Sequence, residues 1–203
     1  MNRRTVLWLA LIGVAAVVVG AVLAQLLTPQ SVPLVSGTWL PQSTPLRAFR
    51  LMDLSGHPFD LDSLRGHPTL MFFGFTNCPD VCPVTLATLA QVQRSAPLPG
   101  SRTVFVTIDP QRDSAAVLRV YLGQFSPRFI GLRGSPAALA PLLGALHVVA
   151  TRQDLPDGSY TMIHSATLYL IDTHARLAAV FSPPLAAANL TADLRRIAAA
   201  GRL

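Results

Sequence analysis

Apolar and polar positions divide the chain into three stretches. Residues 6–27 form a run of 22 positions without a charge, preceded by Arg3 and Arg4. At ~1.5 Å rise per residue a helix of that length reaches about 33 Å, enough to cross the hydrocarbon core of a bilayer. Residues 28–45 carry Pro29, Pro33, Pro41 and Pro45 among Ser, Gln and Gly with no apolar period, which predicts a flexible, extended tether. From residue 46 onward the pattern is that of a folded domain. Two short apolar stretches within 46–64 flank the polar turn Asp53-Leu54-Ser55-Gly56-His57 and read as a hairpin.

The run Leu70-Met71-Phe72-Phe73-Gly74-Phe75 is continuously apolar, as expected of a central strand covered on both faces. Val84, Leu86, Leu89, Ala90 and Val92 recur at helical spacing within 84–94. A second strand is predicted over 103–108 and a second helix over 113–125, with Asp113 or Ser114 as its N-cap. Ser135-Pro136, a cap residue followed by proline in the first turn, opens a third helix to about residue 146. Strands over 147–151, 166–171 and 177–181 follow, the last two joined as a hairpin, and a helix over 186–200 ends the chain. Alternating strands and helices, then a hairpin and a helix, describe an α/β sandwich. The order β–α–β–α…β–β–α resembles a thioredoxin-like domain spanning residues 46–203.

Arg3 and Arg4 should stay in the cytoplasm with residues 1–5, so that a transmembrane anchor over 6–27 leaves the rest of the chain exported. A cleavable signal peptide is the alternative, with Val22-Leu23-Ala24 as a small-residue cleavage site, although the apolar run exceeds the usual ~7–15 residue signal core. No Arg- and Ser-rich amphipathic leader precedes the span, which favours a bacterial envelope. The formal charge of +6 falls to +4 without Arg3 and Arg4; every base is Arg and every acid is Asp. The arginines are scattered, so no nucleic-acid partner is expected, while the mild positive field suits an acidic protein partner.

The candidate chemistry lies in Cys78-Pro79-Asp80-Val81-Cys82-Pro83, directly after the apolar strand, and the chain has no other cysteine. Two thiols this close can close a disulfide, exchange electrons with another dithiol, or grip a soft metal. Each cysteine precedes a proline, which disfavours α torsions, so a rigid loop with the helix starting near Pro83 is expected. The loop would cap the C-terminal end of a buried strand, where open α/β sheets place their sites. A helix N-terminus beside Cys82 should lower its pKa. The redox pattern of thioredoxin-like enzymes has two residues between its cysteines; here there are three, a wider loop suited to a cation. Two thiolates suit Cu(I), and an added imidazole suits copper in either oxidation state. His164 is the candidate third ligand, because in a thioredoxin-like sheet the turn before the 166–171 strand packs beside the cysteine loop. Where thioredoxins carry a proline facing the cysteines, this chain has Ala166.

The stretch Phe73-Gly74-Phe75-Thr76-Asn77-Cys78-Pro79-Asp80-Val81-Cys82-Pro83-Val84-Thr85-Leu86 resembles the signature of the Sco (SenC) family. Three further stretches match it: Asp109-Pro110-Gln111-Arg112-Asp113, Pro127-Arg128-Phe129-Ile130-Gly131-Leu132, and Tyr160-Thr161 through His164-Ser165-Ala166. The resemblance covers the whole domain and implies a membrane-anchored copper metallochaperone. Copper, as Cu(I), Cu(II) or both, would be held by Cys78, Cys82 and His164, with Cys78 and Cys82 also a redox pair forming a reversible disulfide. Such proteins assist assembly of the dinuclear copper centre of cytochrome c oxidase by delivering copper, by reducing the acceptor's cysteines, or both. The implied partners are the copper-acceptor subunit of that oxidase and other copper or thiol-redox carriers. The implied location is the bacterial inner membrane, with a single span and the domain on the periplasmic side. Family members commonly have an aspartate immediately before the histidine; this chain has Ile163.

Competing readings are a membrane-anchored thiol–disulfide oxidoreductase or peroxidase-like protein without a metal role, a structural disulfide, and an assembly scaffold indifferent to both thiols. His57, His67, His147 and His174 lie in turns or at a strand start and are not expected to be ligands. Asp109 and Asp113 are expected to be structural, ending a strand and capping a helix. Met71 and Met162 read as core fillers.

Overall fold

A computed structural model describes residues 2–27, 32–201 and 203. Met1 of the expected cytoplasmic end and residues 28–31 of the expected tether lie outside the described residues. The chain divides into two units, Met1–Ser31 and Val32–Leu203. The first is the helix α1 (Arg3–Leu27). Its window Leu7–Ala24 has a mean hydropathy of 2.7 and is long and apolar enough to cross a membrane.

The second unit is a thioredoxin-like α/β sandwich. Its remaining elements are β1 (Gly37–Pro45), β2 (Leu51–Asp53), β3 (Pro58–Phe59), α2 (Leu61–Leu64), β4 (Thr69–Gly74), α3 (Val81–Ser95), β5 (Arg102–Thr107) and α4 (Ala115–Gly123). After these come β6 (Ile130–Arg133), α5 (Pro136–Ala145), β7 (Ala150–Asp154), β8 (Tyr160–His164), β9 (Leu168–Ile171), β10 (Arg176–Phe181) and α6 (Ala187–Ala199). Among the described residues, one sheet runs in the order β1-β10-β9-β4-β5-β6-β2-β3, and β7 and β8 pair separately. At its centre β4 runs parallel to β5 and antiparallel to β9. Every residue of β4 is buried, which is why its sequence shows no polar alternation. Helix caps follow the expected chemistry: Ser114 and Ser135 each accept a backbone N–H at the start of α4 and α5.

The tether reading needs correction. Residues 37–45 are not free but form β1, an edge strand antiparallel to β10. Its register shifts between Trp39 and Thr44, so Pro41 sits in the bulge; edge strands and bulges tolerate a residue that cannot donate to the ladder. The segment before it is clamped by the fully buried Asp193 of α6, whose carboxylate accepts from Val35 N (2.8 Å), Ser36 N (2.8 Å) and Ser36 Oγ (2.7 Å). The folded unit therefore begins near Val32, not at residue 46.

Two further expectations shift. Helix α3 begins at Val81, so Cys82 and Pro83 both lie in its first turn. First-turn N–H groups have no intrahelical partner, so proline there loses nothing. The strand expected over 147–151 begins at Ala150, and it pairs with β8, which the apolar pattern did not predict.

Candidate metal centre

Cys78 lies in the loop between β4 and α3, and Cys82 in the first turn of α3. His164 ends β8. The ligating atoms of Cys78, Cys82 and His164 all lie within 4.8 Å of one another, the one such group of histidine, cysteine and acidic side chains among the described residues. Both cysteines are free thiols. His57, His67, His147 and His174 are not part of this group. A metal bonded at about 2.0–2.3 Å to each donor requires donors roughly 3.5–4 Å apart. Cys82 Sγ to His164 Nε2 is 3.5 Å. Small inward movements bring two sulfurs and one nitrogen to a common centre, so the residues fit a soft ion.

The imidazole is oriented for that role. His164 Nδ1 is 3.1 Å from the Ser165 carbonyl, and a proton donated there leaves the Nε2 lone pair facing the sulfurs. Its ring packs edge-on against Phe75 (centroids 5.7 Å) and Phe72 (6.3 Å). Burial lowers its pKa, opposed by hydrogen bonds to the backbone of Ser165 and Phe73, so the ring is neutral at pH 7.

Cys78 Sγ accepts the Cys82 N–H at 3.4 Å. Cys82 is fully buried, and the expected fall in its pKa does not occur. Burial pushes its thiol well above the usual range, and the Cys78 sulfur and the Asp113 carboxylate add to the rise; a Phe75 backbone hydrogen bond opposes it. Desolvation of the thiolate outweighs the helix N-terminus here. Metal binding removes that proton outright, since only the thiolate is a ligand. Gly74 makes the close approach of this sulfur achievable: a Cβ there would lie 2.8 Å from Cys82 Sγ and 2.9 Å from the Phe105 ring.

Asp113 is fully buried and joins three segments. It accepts from Thr76 N (3.1 Å), Thr76 Oγ1 (2.5 Å) and Thr107 Oγ1 (2.5 Å), tying the cysteine loop to the end of β5. Burial raises its pKa against those hydrogen bonds. Asp109 accepts from Arg112 Nε (2.5 Å) and Tyr160 OH (2.9 Å). Sequence reasoning did not connect Arg112, Tyr160 and Phe75 to the histidine. The one available signal was the turn Leu155-Pro156-Asp157-Gly158-Ser159, which marks a hairpin ending at His164. Ile163 is 50% exposed and, by strand alternation, faces away from the sulfurs.

Proteins of known structure share this fold. The structure of Bradyrhizobium japonicum ScoI with copper bound is 37% identical, with a TM-score of 0.68 over 75% of this chain and 99% of that one. Apo Sco1 from Thermus thermophilus is 34% identical, with a TM-score of 0.71 over 79% and 95%. The SCO2-like protein RP587 of Rickettsia prowazekii is 37% identical over 136 residues, 63% of this chain. The chain spans 64% of that relative's length and 62% of the mitochondrial SCO2 homolog of Mus musculus, to which it is 35% identical. Residues 41–199 match the SCO1/SenC family, a span that takes in the whole sheet from within β1, the cysteine loop and the histidine hairpin. This chain belongs to the SCO1/SenC family.

Proposed function

We propose that the chain is a membrane-anchored copper metallochaperone that serves assembly of the dinuclear copper centre of cytochrome c oxidase. The observation that carries this reading is the convergence of two thiols and a neutral imidazole within 4.8 Å. A relative with the same fold and 37% identity holds copper. Two soft sulfurs and one imidazole select copper over hard, oxygen-seeking cations. Copper is cargo in this reading: Cys78, Cys82 and His164 grip it and surrender it to the acceptor subunit's donors. The apolar α1 suits anchorage in a bacterial inner membrane, with the two arginines at its start on the cytoplasmic side and the folded unit on the other.

The same dithiol suits reduction of an acceptor disulfide. Cys78 and Cys82 would each give up one proton, two electrons would pass to the acceptor, and a Cys78–Cys82 disulfide would remain. Only the reduced pair ligates well, so metal loading and redox state exclude each other.

Titration of the reduced full-length chain with Cu(I) against a chromophoric competitor tests the reading. One equivalent should bind tightly. Cys78→Ala or Cys82→Ala should abolish that binding, and His164→Ala should weaken it by about a hundredfold or more, since even outer partners of a ligand are worth 10–100-fold. Unchanged affinity in His164→Ala, with thiol exchange lost only in the cysteine variants, would leave a plain thiol oxidoreductase.

A further inference from the structure

The hairpin that carries His164 has little of its own to hold it in place. Among the described residues β7 and β8 pair only with each other, and four of the five β7 residues are exposed. Isolated two-stranded hairpins are marginal in water. The hairpin's position must therefore come from side-chain contacts with the main body: Ala150 and Met162 pack against the core and the His164 ring against Phe72 and Phe75, while the polar contacts outside the thiol–imidazole cluster concentrate at Tyr160, where β8 begins. Arg112 Nη1 donates to the Tyr160 carbonyl at 2.8 Å, and the Tyr160 hydroxyl donates to Asp109 at 2.9 Å. The Arg112 guanidinium lies 3.8 Å from the Tyr160 ring centroid and that of Arg152 lies 3.9 Å from it. Two guanidinium groups so near one centroid must occupy opposite faces of the ring, so the ring is clamped between them.

The clamp reaches the imidazole by two routes. Along the strand, Tyr160 and His164 are the first and last residues of β8. Across the site, Arg112 also faces the Phe75 ring at 5.9 Å, and Phe75 is one of the two rings against which His164 packs. Asp109 is almost fully buried and fixes the Arg112 guanidinium through Nε, so the arginine is not free to follow a loosened hairpin.

We propose that Tyr160, clamped between Arg112 and Arg152 and bonded to Asp109, is a positioning residue that sets how firmly His164 is held over the Cys78–Cys82 pair. With the clamp closed the site offers three donors. With it released the hairpin swings, and two sulfurs remain. The inference rests on the copper reading above, but the hairpin's anchorage can be read without metal.

Tyr160→Leu removes ring and hydroxyl, and Tyr160→Phe removes the hydroxyl alone; both leave the Asp109–Arg112 pair intact, so no buried charge is stranded. The full-length chain in detergent is followed by amide hydrogen exchange without metal. With Cu(I) it is followed by competition affinity and by copper X-ray absorption, with His164→Ala as the two-sulfur reference. In Tyr160→Leu, amides of 160–165 should exchange about tenfold faster while those of 69–74 and 102–107 stay protected. Its copper affinity should fall about ten- to hundredfold and its absorption spectrum should move toward that of His164→Ala. Tyr160→Phe should fall between it and wild type. Wild-type exchange and affinity in Tyr160→Leu would overturn the proposal. If Tyr160→Leu also loosens 69–74, the comparison passes to Tyr160→Phe: loosening confined to the hairpin supports the clamp, and none refutes it. A wild-type chain that binds no copper defeats the copper reading, and the metal-free exchange still decides the clamp.

Discussion

At the scale of single residues, the site is shaped by what surrounds the donors. Gly74 has no side chain where a methyl group would strike the Cys82 sulfur and the Phe105 ring, both fully buried. Gly74→Ala should therefore cost about 1–3 kcal/mol, the range for overpacking a tight core. Denaturant unfolding checks the stability, and Cu(I) competition should show weakened binding because the sulfur is displaced. The pH dependence of copper affinity follows from the two shifted groups. The Cys82 pKa is raised by burial, so across the neutral range its thiol is protonated and copper must displace that proton. Affinity should rise with pH, by about tenfold per unit for each proton released. The His164 pKa is lowered by burial, so protonation competes with copper only below its ordinary value near 6.5, where the slope should steepen as pH falls. Affinity measured from pH 5 to 8 tests both signs. Cys78, Cys82 and His164 were legible because a short motif and a resemblance name them. Arg112 and Tyr160 were not: they lie 48 positions apart, and only the fold shows that they touch.

At the scale of elements, legibility tracked burial. β4 announced itself because both faces are covered, so Leu70–Phe73 read as an unbroken apolar run. β1 did not, because an edge strand is held by backbone pairing and needs no alternation, and its prolines read as punctuation. The β7–β8 hairpin was missed for a similar reason: it is largely exposed and carries Arg, Gln, Asp and Thr. The strap before β1 depends on the buried Asp193 carboxylate and its three donors. Asp193→Ala leaves two backbone N–H groups unpaired and should destabilise the fold by about 3 kcal/mol. Thermal unfolding would measure that loss, and proteolysis should newly cut near residues 33–40. Ile163 faces away from the sulfurs, so Ile163→Asp should leave Cu(I) affinity within about twofold of wild type, the small effect expected of a surface change; the same competition titration checks it.

At the scale of the molecule, the folded unit is longer than the apolar pattern suggested. A chain starting at residue 32 should fold, stay free of aggregation and bind copper like the full-length protein. One starting at residue 46 lacks β1, leaving the β10 edge bare. Unpaired edges of this kind recruit other chains, so the shorter version should aggregate or dimerise. Light scattering of the two truncations side by side checks this. The sandwich itself was visible in the order of apolar runs, because the parallel pair β4–β5 needs the crossover helix α3 between its strands.

The three donors differ in their access to solvent: Cys82 is sealed, Cys78 lies just under the surface, and His164 is half-buried. A competing donor approaching from outside meets the imidazole and the outer sulfur before it can reach the inner one. If the chain hands copper on as proposed, unloading should run as a relay, with the ion changing hands one bond at a time and never naked in water, and the sealed thiolate as its last tie to this chain.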